Sequence, residues 1–217
     1  MLSVKDITLG YGDRTLASGI SFTLDRGECV LLCGPNGSGK TTLLRKLASA
    51  GGAVMVPTRI PKVKGFTVRE FLRTSEYLLT DALGRLDAQN QKKADEALGA
   101  LGILHLAGRD ISTLSDGEFQ KACIATALAR DASVLLLDEP TAFLDVDAKA
   151  EVLATLRRIS RDRAVLFSSH DIHEAAAVCT RAMGLDGRGG FADTASGIAP
   201  QVLFKTVFPS YGQAIYN

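Results

Sequence analysis

The sequence predicts an α/β domain with a parallel sheet, and three observations carry that expectation. Short apolar runs of strand length, such as Glu28–Cys33 and Val134–Leu137, are separated by amphipathic helical stretches. The first of these runs is continuously apolar, as suits a central strand covered on both faces. A glycine-rich stretch, Gly34–Thr42, then leads directly from that strand into a helix. A chain of 217 residues with 46% apolar content can form one such domain with a small insertion.

Taken in order, Val4–Leu9 and Ile20–Leu24 alternate apolar with polar residues, the pattern of half-buried antiparallel strands. Glu28–Cys33 is the first core strand, and a helix runs from Thr41 to about Ala50. Gly51-Gly52 breaks the chain, and Ala53–Pro57 reads as another buried strand. Thr67 and Glu70 have the spacing of a capping box, opening a helix with Val68, Phe71, Leu72 and Leu79 on its apolar side. Lys92–Leu101 is amphipathic, and Ile103–Leu106 continues the apolar signal. Residues 68–112 therefore read as a helical insertion, followed by a long helix from Leu114 to about Arg130. Strand-like runs resume only at Val134–Leu137 and Ala164–Phe167. Ile198–Phe208 reads as a short amphipathic helix after the glycine-rich turn Gly187–Gly190.

Composition narrows the function. The formal charge is +1 and the basic residues are scattered, so no nucleic-acid partner is expected. The charged N-terminus lacks a signal-peptide core, and the longest apolar runs are strand-sized. A soluble, cytosolic protein is the expectation. Cys29 and Cys33 would lie roughly 13 Å apart in one strand at ~3.3 Å per residue, too far for a disulfide. With Cys123 and Cys179 they read as small buried hydrophobes in a reducing compartment.

Gly34-Pro35-Asn36-Gly37-Ser38-Gly39-Lys40-Thr41-Thr42 has the Gly-x-x-x-x-Gly-Lys-Thr spacing of a phosphate loop. Its glycines let backbone N–H groups converge on an anion, and the following helix adds its positive end. Lys40 supplies a charge for the β/γ phosphates, and the Thr41 hydroxyl is placed to ligate Mg²⁺. Val134–Leu137 ends in Asp138 and Glu139, at the end of a parallel strand that faces a ligand crevice. Asp138 would hold Mg²⁺ and Glu139 would polarise an attacking water; an acidic turn is the plainer alternative. Ser115 and Glu118 fit a capping box, and Ser115 with the Gly117 N–H equally fits a second anion site.

Together these motifs resemble the ATP-binding cassette ATPases over nearly the full chain. Gly34–Thr42 matches their Walker A, Leu114–Gln120 their Leu-Ser-Gly-Gly-Gln signature and Val134–Glu139 their Walker B. Ala142–Asp145 matches the D-loop, and Ser168–Asp171 the switch-histidine segment after the last core strand. Tyr11 sits where the family stacks an aromatic ring on adenine. The resemblance implies a P-loop NTPase core with a shortened N-terminal β-subdomain. It further implies a helical subdomain of about 66–130 inserted in a single domain spanning 1–217. ATP and Mg²⁺ are the implied ligands. Each ATP would be held by Lys40, Thr41 and Asp138 of one subunit and closed by Ser115, Gly117 and Glu118 of a second copy, head to tail. Glu139 would be the general base, His170 the γ-phosphate sensor and Asp145 the D-loop acid. A transmembrane permease would dock on Thr58–Gly65 and Val68–Leu72, holding the ATPase at the inner membrane face. The basic, partly apolar run Arg59–Lys64 suits that docking, and equally a solvated loop.

The variant Leu-Ser-Asp-Gly-Glu, with Asp116 for the first glycine, resembles importers of iron-siderophore, haem and cobalamin complexes. So does Asp138–Asp145. A soluble cassette ATPase and an ATP-clamping regulatory cassette are the alternatives. Two departures from the family stand out. Only 17 residues separate Lys40 from Thr58, so most of an expected antiparallel hairpin is missing. The expected Pro-Gln of the Q-loop is Pro57-Thr58, and threonine is too short to make the glutamine's contacts without a bridging water. ATP binding is expected to be intact, with hydrolysis or its coupling weakened.

Overall fold

The structure is a computed structural model that describes residues 1–12, 14–74, 88–196, 203, 204, 207 and 208. Two sheets divide the strands. β1 (Leu2–Tyr11) and β2 (Arg14–Leu24) pair antiparallel, with partners running from Leu2↔Leu24 to Tyr11↔Arg14. The expected alternation holds: Val4, Leu9, Ala17, Ile20, Phe22 and Leu24 are buried and most of their neighbours are exposed.

The second sheet has six strands, in the order β4-β5-β6-β3-β7-β8. β3 (Cys29–Cys33) is central and wholly buried, flanked by β6 (Ala164–Ser168) and β7 (Arg181–Leu185) in parallel. β4 (Ala53–Val56) and β5 (Val134–Leu137) extend it in parallel, and β8 (Phe191–Asp193) closes the other edge antiparallel. Between β3 and β4 runs α1 (Lys40–Ser49), which feeds into β4 through Ala50, Gly51 and Gly52 with no strand between. The N-terminal subdomain is accordingly a two-stranded ribbon, shortened as the sequence spacing requires.

Residues 57–133 connect β4 to its neighbour β5. Among those described they carry α2 (Val68–Thr74), α3 (Ala88–Ala100) and α4 (Asp116–Ala129). The capping box of α2 is formed: Glu70 Oε2 accepts from the Thr67 N–H at 2.8 Å, and Thr67 Oγ1 accepts from the Glu70 N–H at 3.2 Å. Val68 and Leu72 are buried as expected; Leu79 lies outside the described residues. α4 is alanine-rich and buried over most of its circumference, with its Phe119 ring 5.6 Å from that of Phe71 on α2. Ile103–Leu106 does not prolong α3 but leads into a 3₁₀ turn after Gly102, whose φ of 71° ends the helix.

The strand ending at Ser168 is not the last of the core. After α5 (Val146–Ile159), β6 and α6 (Ile172–Val178), the chain re-enters the sheet as β7 and β8. β7 reads Arg-Ala-Met-Gly-Leu and lacks β-branched residues, so local preference conceals it. Tertiary contacts compensate. The Arg181 guanidinium donates to Thr23 O at 2.8 Å and pairs with Glu28 (2.9 Å) and Asp193 (2.5 Å), tying both sheets together. Those carboxylates raise its already high pKa, so its charge is permanent. Gly184 lets the C-terminal segment approach: a Cβ there would stand 2.2 Å from Val207 Cγ2. Leu203, Phe204 and Val207 are helical and buried, in keeping with the amphipathic helix expected there; the rest of 198–208 lies mainly outside the described residues.

All four cysteines are free, and Cys179 is only half-buried. Burial pushes the Cys33 and Cys123 thiols up to about 12, which leaves them neutral and inert. Among the described residues no helix is long and apolar enough to cross a membrane. Gly184→Ala should cost about 1–3 kcal/mol by overpacking against Val207. Thermal denaturation should show it as a lowered Tm.

Candidate functional site

The loop leaving β3 is shaped by its glycines. Gly34 has φ 156°, and a Cβ there would collide with Leu185 O at 2.5 Å. Gly39, the N-cap of α1, is left-handed at φ 105° and makes no side-chain cap bond. No acidic residue occupies the first turn of α1, so its unpaired N–H groups face no competing carboxylate from their own helix. The Ser38 hydroxyl is buried and has no partner among the described residues. Lys40 is buried within the loop, its Nζ donating to Gly34 O at 2.8 Å and Pro35 O at 3.3 Å. Desolvation lowers its pKa, while Glu139 and Asp138 act in the opposite sense. This is a cradle of donors suited to an anion.

β5 delivers the acids. Its end is held to β4 by the Asp138 N–H donating to Val56 O at 3.0 Å. Asp138 is buried, and both carboxylate oxygens are occupied: Oδ2 accepts from Thr41 Oγ1 and Oδ1 from Ser168 Oγ, each at 2.8 Å. The Ser168 hydroxyl in turn accepts from the Glu139 N–H at 2.9 Å. Glu139 has φ 51°, a left-handed conformation that costs a glutamate on the order of 1–3 kcal/mol. The turn aims its carboxylate at His170, with Oε1 2.7 Å from Nε2. The structure thus gathers Lys40, Thr41, Asp138, Glu139 and His170 at one end of the sheet. Ser168 was visible in the sequence only as one residue of the His170 segment. Its signal was a buried hydroxyl closing an otherwise apolar strand.

Tyr11 stands over this site from β1, its hydroxyl 2.5 Å from Thr42 Oγ1 and the residue 60% exposed.

Ser115 and Glu118 bond with each other, and Glu118 lies 4.0 Å from Arg109. The capping box is complete: Ser115 Oγ accepts from the Glu118 N–H at 3.2 Å, and Glu118 Oε2 accepts from the Ser115 N–H at 2.8 Å. Those bonds hold the Glu118 carboxyl below its usual range. A Cβ at Gly117 would be 3.0 Å from Ala148 Cβ on α5, so this glycine lets α4 meet α5. Asp145 is the N-cap of α5, accepting from the Ala148 N–H at 2.8 Å. Thr58 is half-buried, and its side chain makes no hydrogen bond with a described residue.

The sequence profile of the ABC transporter family matches residues 17–142. The chain belongs to the ABC transporter family. As an ABC ATPase, it is 31% identical to the iron(3+)-hydroxamate import ATP-binding protein FhuC of Bacillus subtilis, over 81% of this chain and 75% of that one. It is 37% identical to the aliphatic sulfonates import ATP-binding protein SsuB 3 of Rhodococcus jostii, covering 88% and 73% of the two chains. Among solved structures, an inward-facing conformation of a metal-chelate type ABC transporter superposes with a TM-score of 0.83 at 24% identity, over 95% of this chain and 88% of that one. That likeness fixes the fold: an α/β ABC cassette with an N-terminal antiparallel pair. The chain is an ATPase by its family, and the family binds ATP.

Ser168→Ala would leave Asp138 Oδ1 and the Glu139 N–H without their partner. We expect kcat for ATP to fall about 10–100-fold, at roughly 1.4 kcal/mol per decade. KM should change little, because the loop's phosphate contacts remain; steady-state kinetics with and without the substitution checks this.

Proposed function

We propose that this ABC ATPase powers a membrane importer through a composite site shared by two copies of the chain. The observation that carries the reading is the continuous network Thr41–Asp138–Ser168–Glu139–His170 beside the Walker A cradle. It supplies a grip, an acid for a cation and a base with its partner in one place.

Mg²⁺ fits the residues present. Thr41 Oγ1 and Asp138 Oδ2 form an oxygen pair 2.8 Å apart, the hard donor type that Mg²⁺ prefers. Among the described residues no group of three His, Cys, Asp or Glu side chains would hold a metal on its own. Thr41 and Asp138 would hold the cation together with phosphate oxygens, and when bound it would offset charge on the β/γ phosphates. Lys40 would release its loop carbonyls to meet the same phosphates. Glu139 would turn from His170 to accept a proton from the attacking water, and His170 Nε2, freed by that turn, would face the γ-phosphate. Tyr11 would stack on adenine.

The second half of the site comes from a partner copy. The signature turn, with Ser115 exposed and Gly117 and Glu118 half-buried, has the helix N-terminus needed to face a γ-phosphate. Intramolecular capping uses the Ser115 oxygen as acceptor and leaves its proton to donate. Closure of such a dimer on ATP, and its reopening after hydrolysis, would drive a permease. Residues of about 66–130 act as the helical subdomain that carries the signature turn. The chain would then work at the inner face of the cell membrane while itself lacking a span among the described residues.

The Leu-Ser-Asp-Gly-Glu variant and the likeness to an iron-hydroxamate import protein favour a metal chelate of the siderophore, haem or cobalamin class as cargo. A Thr58 side chain without a hydrogen bond among the described residues favours a slower cycle, and an ATP-clamping cassette is the limiting case of it.

Glu139→Gln should bind MgATP with unchanged affinity, lose at least about 100-fold in hydrolysis, and accumulate as an ATP-dependent dimer by size-exclusion chromatography with light scattering. A persistent monomer would contradict the composite site. Thr58→Gln should raise ATPase activity measured with the permease present; an unchanged rate would show that the missing glutamine does not limit the cycle.

A further inference from the structure

The basic run Arg59–Lys64 was expected to present its cations outward to a partner or to solvent. Arg59 stays exposed, against the exposed Phe143 ring, whereas Lys62 turns inward. The Arg59 guanidinium lies 4.5 Å from the centre of the Phe143 ring, in the D-loop. Lys62 Nζ donates to Leu114 O at 2.9 Å and to Asp116 Oδ1 at 2.6 Å, and lies 5.3 Å from the centre of the Phe119 ring. Its side chain is only 27% exposed.

The location matters more than the number of bonds. Leu114 and Asp116 flank Ser115, the N-cap of α4. One ammonium, with three donors, thus grips the chain on both sides of the signature serine. The carboxylate it uses belongs to Asp116, one of the two residues, with Glu118, at which this sequence departs from the family's Leu-Ser-Gly-Gly-Gln. A glycine at 116 would offer no such partner.

The other end of the segment is equally fastened. Asp138 N donates to Val56 O at 3.0 Å, so the stretch 57–62 begins against the metal-binding acid. Pro57 and Pro61 restrict its φ angles and limit its slack. The result is a short strap from the Walker B end of the sheet to the signature turn, pinned midway by Arg59 on the D-loop.

We infer that Lys62 is a positioning residue for the nucleotide site of the opposing subunit: through Leu114 and Asp116 it sets the pose of Ser115 and Gly117, and the strap 57–62 couples that pose to Asp138. This rests on the composite-site reading above. The strap runs past Thr58, so it supplies a link between the core and the helical segment where no glutamine is present.

The test uses the full chain carrying Glu139→Gln, with MgATP. Lys62→Met should raise the protein concentration needed for half-maximal dimerisation about tenfold, the scale of a lost charge-assisted hydrogen bond. ATP affinity of the dilute monomer should stay within about twofold, because the Walker A contacts lie elsewhere. Lys62→Arg, which retains donors and charge, should restore most of the dimerisation. A Lys62→Met chain that dimerises like its parent overturns the proposal alone. So does one that loses monomer ATP affinity or melts more than about 5 °C lower, since Lys62 would then serve the fold. A parent that stays monomeric with ATP overturns the composite-site reading and this proposal with it.

Discussion

The structure depends on β6 lying between β3 and β5. The phosphate loop springs from β3 and the acids from β5, so the two are separated by one strand. Ser168, at the end of β6, fills that gap with a hydroxyl that donates to Asp138 and accepts from the Glu139 N–H. Thr41, from the first turn of α1, completes the bridge to the other Asp138 oxygen. A buried carboxylate without such partners would be costly enough to shift or unfold its surroundings. Here both oxygens are satisfied from two sides, and the acid is fixed relative to the loop before any ligand arrives. The left-handed turn at Glu139 is tolerable for the same reason, because Ser168 holds its amide.

The binding half and the relay half of the molecule are built differently. Binding residues sit on strand ends and the first helical turn, within a network that includes Lys40 on the loop carbonyls. The proposed relay runs through 57–64, where the Thr58 side chain makes no hydrogen bond with a described residue and the contacts come from Arg59 and Lys62. Among the described residues β4 is the edge strand and pairs with β5, by backbone bonds. What the chain has shortened lies at the sheet edge, away from the loop.

Much of this was legible in the residues. Gly34–Thr42, the paired acids after Val134–Leu137 and the capping boxes at Thr67 and Ser115 have local causes: glycine φ angles, burial period and side-chain acceptors. β7 and β8 were not legible, because Arg181 and Gly184 are justified only by Glu28, Asp193 and Val207 far along the chain. The role of Ser168 was hidden likewise, since a serine at a strand end has many meanings until Asp138 is seen beside it. Lys62 failed as a surface residue because charge in a sequence says nothing of which way a loop folds. Asp116, legible only as a replacement for the first signature glycine, is the counterion of Lys62.

The central claim is that the Asp138–Ser168 bond is a fixed element of the site while Thr41 and Glu139 exchange partners on binding. A crystal structure of the Glu139→Gln chain with MgATP tests it directly. The account predicts phosphates in the Gly34–Thr42 loop, Thr41 and Asp138 both turned to the cation, Ser168 still bonded to Asp138, and His170 released from residue 139. Nucleotide bound outside that loop, or a Ser168 hydroxyl detached from Asp138 in the bound state, would contradict it.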